Sequence, residues 1–519
     1  MGFEAGWYSL DPWLVPTYRS GLVSHKTLLS TMGLILAALA IACAPTASTP
    51  TLWSSPYFVA SDCSFEVPSS VDEKCGTVTV PQNHSRDDGL TLDLAVALFA
   101  SQASKPQADP VVYLAGGPGE HALDTLVFTF DDLFRPFLST RDVVVFDQRG
   151  AGYSEPNTDC IELNRLEIDL LNLSLSLDEE VELNIAAATT CHDRLTSEGV
   201  PLEELTTAQS AADVEAIMIA LGYSDWNLLG ISYGTRLAQA IMRDRPAGVR
   251  SVILDSVVPL EIDLIAQTPG SFDRGLTALF NGCAASIHCA ADYPNLEETL
   301  VSAVTNLNKA PVTGSISNQL TQESFKSISD GTDLVNQVFQ GLYSSEVIPL
   351  LPEMISLAAQ LDTDLLDLLR GISLTSSPFL STGMHIALQC TEEFPFTTKE
   401  RIRLSSESHA RVLKLLGGSS PIGSEVFDIC AYWNLTAAPA VENEPVMSDI
   451  PTLIFAGSYD PITPPSGGRL LADRLGNATF VEFPASGHAA LTTGECALGI
   501  ASGFLAAPNR FVDNECAKK

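Results

Sequence analysis

The chain is long, rich in apolar residues and strongly acidic, and these properties exclude several classes of protein. It has 519 residues, of which 45% are hydrophobic, so it can bury a substantial core and is not a disordered protein. Acidic residues outnumber basic residues 63 to 28, which gives a net charge of −35. A negative field of this size repels nucleic acids, so we expect no nucleic-acid partner.

The first 42 residues have the features of an export signal. Arg19 and Lys26 precede an apolar run over residues 28–42 that is too short for a comfortable membrane span. The run ends in Leu-Ala-Ile-Ala-Cys, which resembles a bacterial lipoprotein cleavage box and predicts lipidation of Cys43. Ordinary signal cleavage near Ala47 is the alternative. We therefore expect an exported protein, which is either a cell-surface or periplasmic lipoprotein or a secreted protein, with a tether over residues 43–59.

The cysteines agree with an oxidising compartment. Of the 11 cysteines, ten remain when Cys43 is set aside, and an even number of this size predicts five disulfides. Zinc is the competing interpretation, but the sequence has no CxxC motif and only 8 histidines, so we expect no metal site. The expected disulfides join sequence neighbours: Cys63–Cys75, Cys160–Cys191, Cys283–Cys289, Cys390–Cys430 and Cys496–Cys516.

Short apolar runs that end in Gly, Ser or Asp recur along the chain. A strand of alternating apolar residues over 90–98, paired with 75–80, precedes them. Continuous apolar runs are typical of strands buried on both faces, as in a parallel sheet covered by helices. We therefore predict an α/β fold with a mainly parallel sheet. The runs lie at residues 111–114, 143–146, 226–229, 252–254, 453–455 and 479–483.

The rhythm of strands and helices is interrupted once. Residues 260–445 have helical periodicity without a clear buried strand. This pattern predicts a helical cap inserted between two parts of the core, which are residues 60–259 and 446–519.

Three residues after predicted strands form a candidate nucleophilic set. Ser232 lies in Gly-Ile-Ser-Tyr-Gly between a strand and a helix, the context of a nucleophile elbow. His488 is the candidate base and Asp460 the carboxylate that orients it. The order Ser, Asp, His is that of the α/β-hydrolases. Asp255 is the alternative acid, His121 is the alternative histidine, and a serine at a helix N-terminus is the alternative without function.

A glycine-rich loop completes the candidate site. Gly-Gly-Pro-Gly at residues 116–119 follows a predicted strand. Acyl transfer places negative charge on the former carbonyl oxygen, and fixed backbone N–H groups stabilise that charge. We assign this role to the N–H groups of Gly117 and Tyr233. A glycine turn without function is the alternative.

These motifs together resemble one family. The sequences at 115–119, 147–154 and 230–234, with those at 75–81, 457–464 and 486–488, are similar to the proline iminopeptidase and tripeptidyl aminopeptidase branch of the α/β-hydrolases. The resemblance spans about residues 60–516 and implies the α/β-hydrolase fold, with its central sheet flanked by helices and an inserted cap. One departure is Ala115, which stands where the family usually has histidine, so the support beneath the glycine loop is expected to differ.

The resemblance implies an aminopeptidase that acts on peptides with a free N-terminus and needs no cofactor. Relatives capture the substrate ammonium with acidic cap residues, and Glu392 and Glu393 are the candidates here. A solvated acidic pair is the alternative. Two other functions stay open: a carboxylesterase or lactone hydrolase with the same triad, because a fold does not determine the bond cleaved, and a peptide-binding lipoprotein without catalysis. The sequence does not indicate the oligomeric state.

Overall fold

The computed structural model describes residues 56–417 and 424–518, so the predicted export signal and Cys43 lie outside the described residues. The strands are β1 (Phe58–Ser61), β2 (Glu73–Pro81), β3 (Thr91–Phe99), β4 (Gln107–Leu114), β5 (Arg141–Phe146), β6 (Trp226–Ile231), β7 (Val249–Asp255), β8 (Val312–Ser317), β9 (Ser324–Ser329), β10 (Thr452–Gly457) and β11 (Ala478–Phe483). The α-helices are α1 (Leu126–Thr129), α2 (Arg135–Leu138), α3 (Ile161–Leu170), α4 (Leu177–Ser197), α5 (Thr207–Ala220), α6 (Tyr233–Asp244), α7 (Leu264–Ala285), α8 (Ile287–Asp292), α9 (Leu296–Lys309), α10 (Gly331–Gly341), α11 (Leu351–Ala358), α12 (Asp364–Ser376), α13 (Thr382–Leu388), α14 (Lys399–Ser408), α15 (Ala410–Leu415), α16 (Ser424–Trp433), α17 (Pro465–Arg474) and α18 (Glu495–Ala506).

Nine strands form one sheet in the order β1-β2-β3-β5-β4-β6-β7-β10-β11. The strands from β5 to β11 in this order pair in parallel, whereas β1, β2 and β3 pair antiparallel at one edge. The predicted mainly parallel α/β sheet is confirmed. β1 begins at Phe58, so the sheet takes in the last residues of the expected tether.

The sheet is buried on both faces because its central strands carry apolar residues toward both faces. Leu228 packs into the layer formed with α5, α6 and α17, while its neighbour Leu229 packs into the layer formed with α1, α2 and α18. Adjacent residues of a strand point to opposite faces, so each apolar run contributes to both layers. The parallel strands therefore direct their carboxyl ends to one edge, where the candidate catalytic residues follow them.

The cap is built from two stretches of chain. Residues 260–445 are mainly helical as expected, but they also contain the antiparallel hairpin β8–β9, whose strands are too polar to be recognised as buried. In addition, α3 and α4 belong to the cap, since Leu195 of α4 packs with Ile386 and Trp433. The elements that pack with residues 260–445 thus include some that precede residue 260. None of the helices in 56–417 and 424–518 is both long and apolar enough to cross a bilayer.

Ten cysteines form five disulfides in the structure, and each disulfide joins sequence neighbours. The loops that they close span from 6 to 40 residues. The pairs are Cys63–Cys75, Cys160–Cys191, Cys283–Cys289, Cys390–Cys430 and Cys496–Cys516.

Candidate active site

Ser232 lies at the sharp turn between β6 and α6. Its φ of 55° and ψ of −123° place it in a region that residues other than glycine rarely adopt. Such strained backbone is typical of functional sites, where the surrounding structure maintains it. Here the Ser232 N–H donates to the Asp255 carbonyl, and the Ser232 carbonyl accepts from Thr235. The serine is therefore held outward at the carboxyl edge of the sheet.

The two glycines of the motif are required by close backbone approach. A Cβ on Gly230 would lie 2.4 Å from the Gly234 carbonyl oxygen, and one on Gly234 would lie 1.9 Å from the Leu114 carbonyl oxygen. Both distances are shorter than any real Cβ contact, so a side chain at either position would displace β6, α6 or β4. Close packing therefore requires glycine at both positions, independently of any catalytic role.

His488 and Asp460 are in direct contact. His488 Nδ1 lies 2.8 Å from Asp460 Oδ2, and the Asp460 side chain is 0% exposed. The carboxylate also accepts hydrogen bonds from the N–H groups of Ile462 and Thr463 and from the Thr463 hydroxyl. These donors fix the carboxylate, which in turn fixes the orientation of the imidazole. The alternative acid, Asp255, accepts from the Leu491 N–H instead.

Residues at the end of β7 bind both the loop of His488 and the backbone of Ser232. In the loop, the Ala489 N–H donates to the Ser256 hydroxyl, and the Leu491 N–H donates to the Asp255 carboxylate. The Asp255 backbone carbonyl accepts from the Ser232 N–H. Within residues 56–417 and 424–518, no hydrogen bond joins the Ser232 hydroxyl to the imidazole. Catalytic hydrogen bonds in free enzymes are often long and tighten only when substrate binds.

The contact between His488 and Asp460 shifts the pKa of both groups. Burial alone would raise the pKa of Asp460, but the charge and hydrogen bond of His488 and the Thr463 hydrogen bonds outweigh it, so this pKa lies below its ordinary value. Burial alone would lower the pKa of His488, but Asp460, with smaller contributions from Asp255 and Glu120, raises it above 6.5. The imidazole is therefore a stronger base than a free histidine.

The two residues assigned to the oxyanion site line the same cavity as Ser232. Gly117, with a φ of 101°, and Tyr233, the first residue of α6, line a cavity together with Ser232. Within the described part of the chain, neither N–H has a hydrogen-bond partner. The first N–H groups of a helix lack partners within the helix, so the Tyr233 N–H is available to an oxyanion.

Two side chains support the glycine loop. Gln148 Nε2 donates to the Ala115 carbonyl, and the Gly116 N–H donates to Glu120 Oε2. Ala115, which stands where the family usually has histidine, is buried, and its backbone carbonyl is held by Gln148. The sequence predicted a different support at this point but did not identify Gln148 or Glu120.

The alternative histidine lies behind this loop. His121 Nε2 is 2.9 Å from Ser381 Oγ and 3.1 Å from Asp159 Oδ1. Burial would lower the pKa of His121, but its hydrogen bonds to Asp124 and Asp159 raise it to about 9. An imidazole that is charged at neutral pH is a poor base. It instead ties the loop to the cap, where the Ser381 N–H donates to the Gly119 carbonyl.

The cavity above Ser232 has a volume of about 230 Å³ and an acidic end. Both Glu392 and Glu393 line it, so the two candidate acids and the candidate nucleophile share one space. Glu393 is paired with the buried Arg236 at 2.9 Å. Glu392 accepts from the N–H and the hydroxyl of Thr207, at the N-terminus of α5. Two carboxylates share one guanidinium, so one negative charge is uncompensated when both carboxylates are ionised.

Glu392 has an unusual pKa. Its side chain is 2% exposed, and burial raises its pKa to about 7, although Arg236 and Thr207 act in the opposite direction. A cation brought into the cavity would favour the ionised form. The alternative interpretation of a solvated acidic pair is wrong, because both carboxylates are enclosed by protein.

Comparison with known proteins assigns the chain to a family. Residues 109–349 match the family described as alpha/beta hydrolase fold, and residues 420–516 match the family described as TAP-like protein. Serine protease Hip1 of Mycobacterium tuberculosis H37Rv is 26% identical over 448 residues, which cover 81% of this chain and 82% of that protein. The chain belongs to the peptidase family of the α/β-hydrolases. It is therefore a serine hydrolase.

Other relatives of this α/β-hydrolase carry related names. Tripeptidyl aminopeptidase of Streptomyces coelicolor is 30% identical over 194 residues, which cover 36% of this chain and 35% of that protein. The crystal structure of proline iminopeptidase from Mycobacterium smegmatis covers 83% of this chain and 98% of that chain, with 16% identity and a TM-score of 0.40.

Several residues of the α/β-hydrolase site were not found from the sequence. Thr463 bonds both Asp460 and His488, and the Tyr343 ring lies 4.9 Å from the His488 ring. Thr463 carries a local signal, because it lies three residues after Asp460, where a turn brings its N–H to the carboxylate. No such local signal marks Tyr343, Arg236 or Thr207, because these residues reach the site from elements whose packing the sequence does not specify.

Proposed function

We propose that this serine hydrolase is an exported aminopeptidase that removes residues or short peptides from free peptide N-termini. The single observation that carries the proposal is the acidic end of the cavity above Ser232, where Glu392 and Glu393 face one arginine. A substrate ammonium supplies the charge that this end lacks. The volume of about 230 Å³ is below the roughly 300–1,000 Å³ of drug-sized ligand sites, which suits a short N-terminal segment.

The proposed mechanism proceeds through an acyl-enzyme. Ser232 attacks the peptide carbonyl while His488 Nε2 takes the hydroxyl proton. The N–H groups of Gly117 and Tyr233 stabilise the oxyanion, and Asp460 stabilises the imidazolium. His488 then protonates the leaving amine, and water releases the acyl group by the same steps in reverse. These roles use only side chains and backbone groups of this chain.

The proposed export is supported by the five disulfides. Disulfides persist in oxidising compartments and are rare where thiols are kept reduced. We propose that residues 1–42 direct export and that Cys43 carries the lipid anchor. Mass spectrometry of the mature N-terminus tests this: a lipid on Cys43 supports the anchor, and a free N-terminus near Ala47 supports secretion.

Substitution of Glu392 is expected to separate amine recognition from catalysis. In Glu392→Gln the amide can still accept from the Thr207 N–H, but the uncompensated charge is lost. We expect the KM for aminoacyl- and tripeptidyl-coumarin amides with a free N-terminus to rise about tenfold or more, as for loss of one partner in a buried charged contact. The KM of wild-type enzyme should rise in the same way below about pH 7, because protonation of Glu392 removes its charge.

N-capped nitrophenyl esters serve as the control substrates, since they carry no ammonium. Glu393→Gln is the comparison variant: it leaves Arg236 without its ion-pair partner and should reduce stability as well as activity. Equal losses on free-amine and N-capped substrates in Glu392→Gln would contradict amine recognition. Hydrolysis of esters alone, with no cleavage of free-amine amides, would indicate an esterase.

The rate of labelling by a fluorophosphonate probe is expected to follow the ionisation of His488. The imidazole accepts a proton only when it is neutral, and its pKa lies above 6.5. The rate should therefore increase with pH and reach half of its maximum above pH 6.5. Measurement of the labelling rate across a pH series avoids any contribution from substrate binding at Glu392. A rate that is independent of pH, or one that falls as pH rises, would contradict this role of His488.

A further inference from the structure

A second cavity, of about 540 Å³, lies on the cap side of the glycine loop. Its walls come from the long cap helices α3, α4, α10 and α12, and the site residues described above do not line it. We define this space as the leaving-side cavity. Two features connect it to the candidate active site, and its lining indicates what it binds.

The first connection is a single side chain. Leu380 lines the leaving-side cavity, and its Cδ1 lies 3.1 Å from the position that a Cβ on Gly117 would occupy. Leu380 also forms an isolated bridge with Glu120 in the glycine loop. Leu380 therefore contacts both this cavity and the loop of the proposed oxyanion site.

The second connection is helix α10. Its residues Asn336, Gln337 and Gln340 line the leaving-side cavity. Two residues after the helix ends, the Tyr343 carbonyl accepts from the His488 N–H. In the proposed mechanism His488 protonates the leaving amine, so the released peptide starts on the His488 side. The helix that forms one wall of this cavity thus ends two residues before the backbone contact with His488.

The lining combines negative charge with an unused amide. Gln337 is 6% exposed and lines the cavity, and its side-chain amide makes no hydrogen bond to another residue within 56–417 and 424–518. Its amide atoms stay accessible to the cavity, and a peptide backbone supplies both the donor and the acceptor that an amide needs. This observation points to an extended peptide as the occupant.

The charges around Gln337 select the side chains of that peptide. Four carboxylates line the cavity, from Glu167, Glu180, Asp330 and Asp333, against the single guanidinium of Arg370. Arg370 pairs with Asp333 at 2.8 Å, which leaves three carboxylates without an ion pair in the described part of the chain. Basic side chains would provide the missing charge.

We propose that the leaving-side cavity binds the part of the substrate that follows the cleaved bond and favours arginine or lysine at its first positions. This inference rests on the proposed aminopeptidase function and extends it from the released N-terminal segment to the departing chain. The enzyme would thus select peptides by the charge that lies beyond the cut as well as by the free N-terminus before it.

The test uses peptides that share one N-terminal segment, chosen because its coumarin amide is hydrolysed. In three peptides this segment is followed by Arg-Arg, Ala-Ala or Glu-Glu, each ending in an amide. We expect kcat/KM, measured by mass spectrometry of the released products, to decrease in that order over about tenfold. Glu180→Gln should reduce the preference for Arg-Arg over Glu-Glu by roughly threefold, and Gln337→Leu should lower kcat/KM for all three peptides relative to the coumarin amide.

Glu182→Gln is the matched control, because Glu182 is exposed on the same helix, α4, outside the cavity. Glu182→Gln should change neither the order of the three kcat/KM values nor the ratio between the highest and the lowest. Equal kcat/KM for the three peptides, or a preference that Glu180→Gln does not alter, would overturn the leaving-side assignment while the aminopeptidase proposal stands. Failure to cleave any free-amine amide, the coumarin amide included, would overturn both.

Discussion

Replacement of Ser232 by alanine is expected to lower kcat by at least about 10⁴-fold, the loss typical when a nucleophile of a catalytic triad is removed. The hydroxyl is the nucleophile of the acylation step, so without it the residual rate comes from transition-state binding alone. Fluorophosphonate labelling should disappear with the activity. Turnover of peptide amides and mapping of the labelled residue measure both effects.

The fold of Ser232→Ala should be unchanged. Alanine keeps the Cβ and therefore the same strained φ of 55°, and the hydroxyl has no hydrogen-bond partner in the described residues. Thermal unfolding and circular dichroism should match those of the wild type. Ser381 provides the sharpest contrast, because its hydroxyl lies 2.9 Å from the Nε2 atom of a histidine, His121. A probe found on Ser381, or turnover that survives in Ser232→Ala, would contradict the proposed mechanism.

Replacement of Asp460 by asparagine is expected to lower kcat by about 10⁴-fold, as for the equivalent change in other triads. Asparagine can keep the hydrogen bonds from the Ile462 and Thr463 N–H groups, but it cannot stabilise the imidazolium. Because Asp460 raises the pKa of His488, the pH at which labelling reaches half of its maximum should also move to a lower value. Steady-state kinetics and the labelling rate across pH measure these two changes.

Asp255→Asn is the matched control for this prediction. Asp255 is also buried at the end of a neighbouring strand, and burial raises its pKa to about 6. Its carboxylate holds the Leu491 N–H and makes no hydrogen bond to the imidazole among the described contacts. We therefore expect a much smaller loss in kcat from Asp255→Asn. A larger loss of kcat in Asp255→Asn than in Asp460→Asn would indicate that Asp255, and not Asp460, supports His488.

The sheet could be predicted from the sequence because a strand buried on both faces has a simple pattern. The apolar run at 226–229 lies within β6, and the run at 453–455 lies within β10. Polar residues that follow such runs meet at one edge of a parallel sheet, so Ser232 and Asp460 could be placed near each other from their positions alone.

The cap could not be predicted in the same detail. Helical periodicity shows that a face is buried but does not show what covers it. For this reason α3 and α4 were assigned to the core, although Leu195 packs with Trp433 of the cap. The partner of Glu393 was missed for the same reason, since Arg236 lies on α6 of the core and meets Glu393 only through the docking of the cap.

The disulfides described above divide between the α/β core and the cap. The core contains Cys63–Cys75 and Cys496–Cys516, and the cap contains the other three. No disulfide within the described residues joins the core to the cap. Loops of 6 to 40 residues contribute about 2 to 4 kcal/mol each in the chain-entropy treatment. Reducing agents would therefore loosen the core and the cap from within, while the seam between them depends on noncovalent contacts, among them the Arg236–Glu393 ion pair.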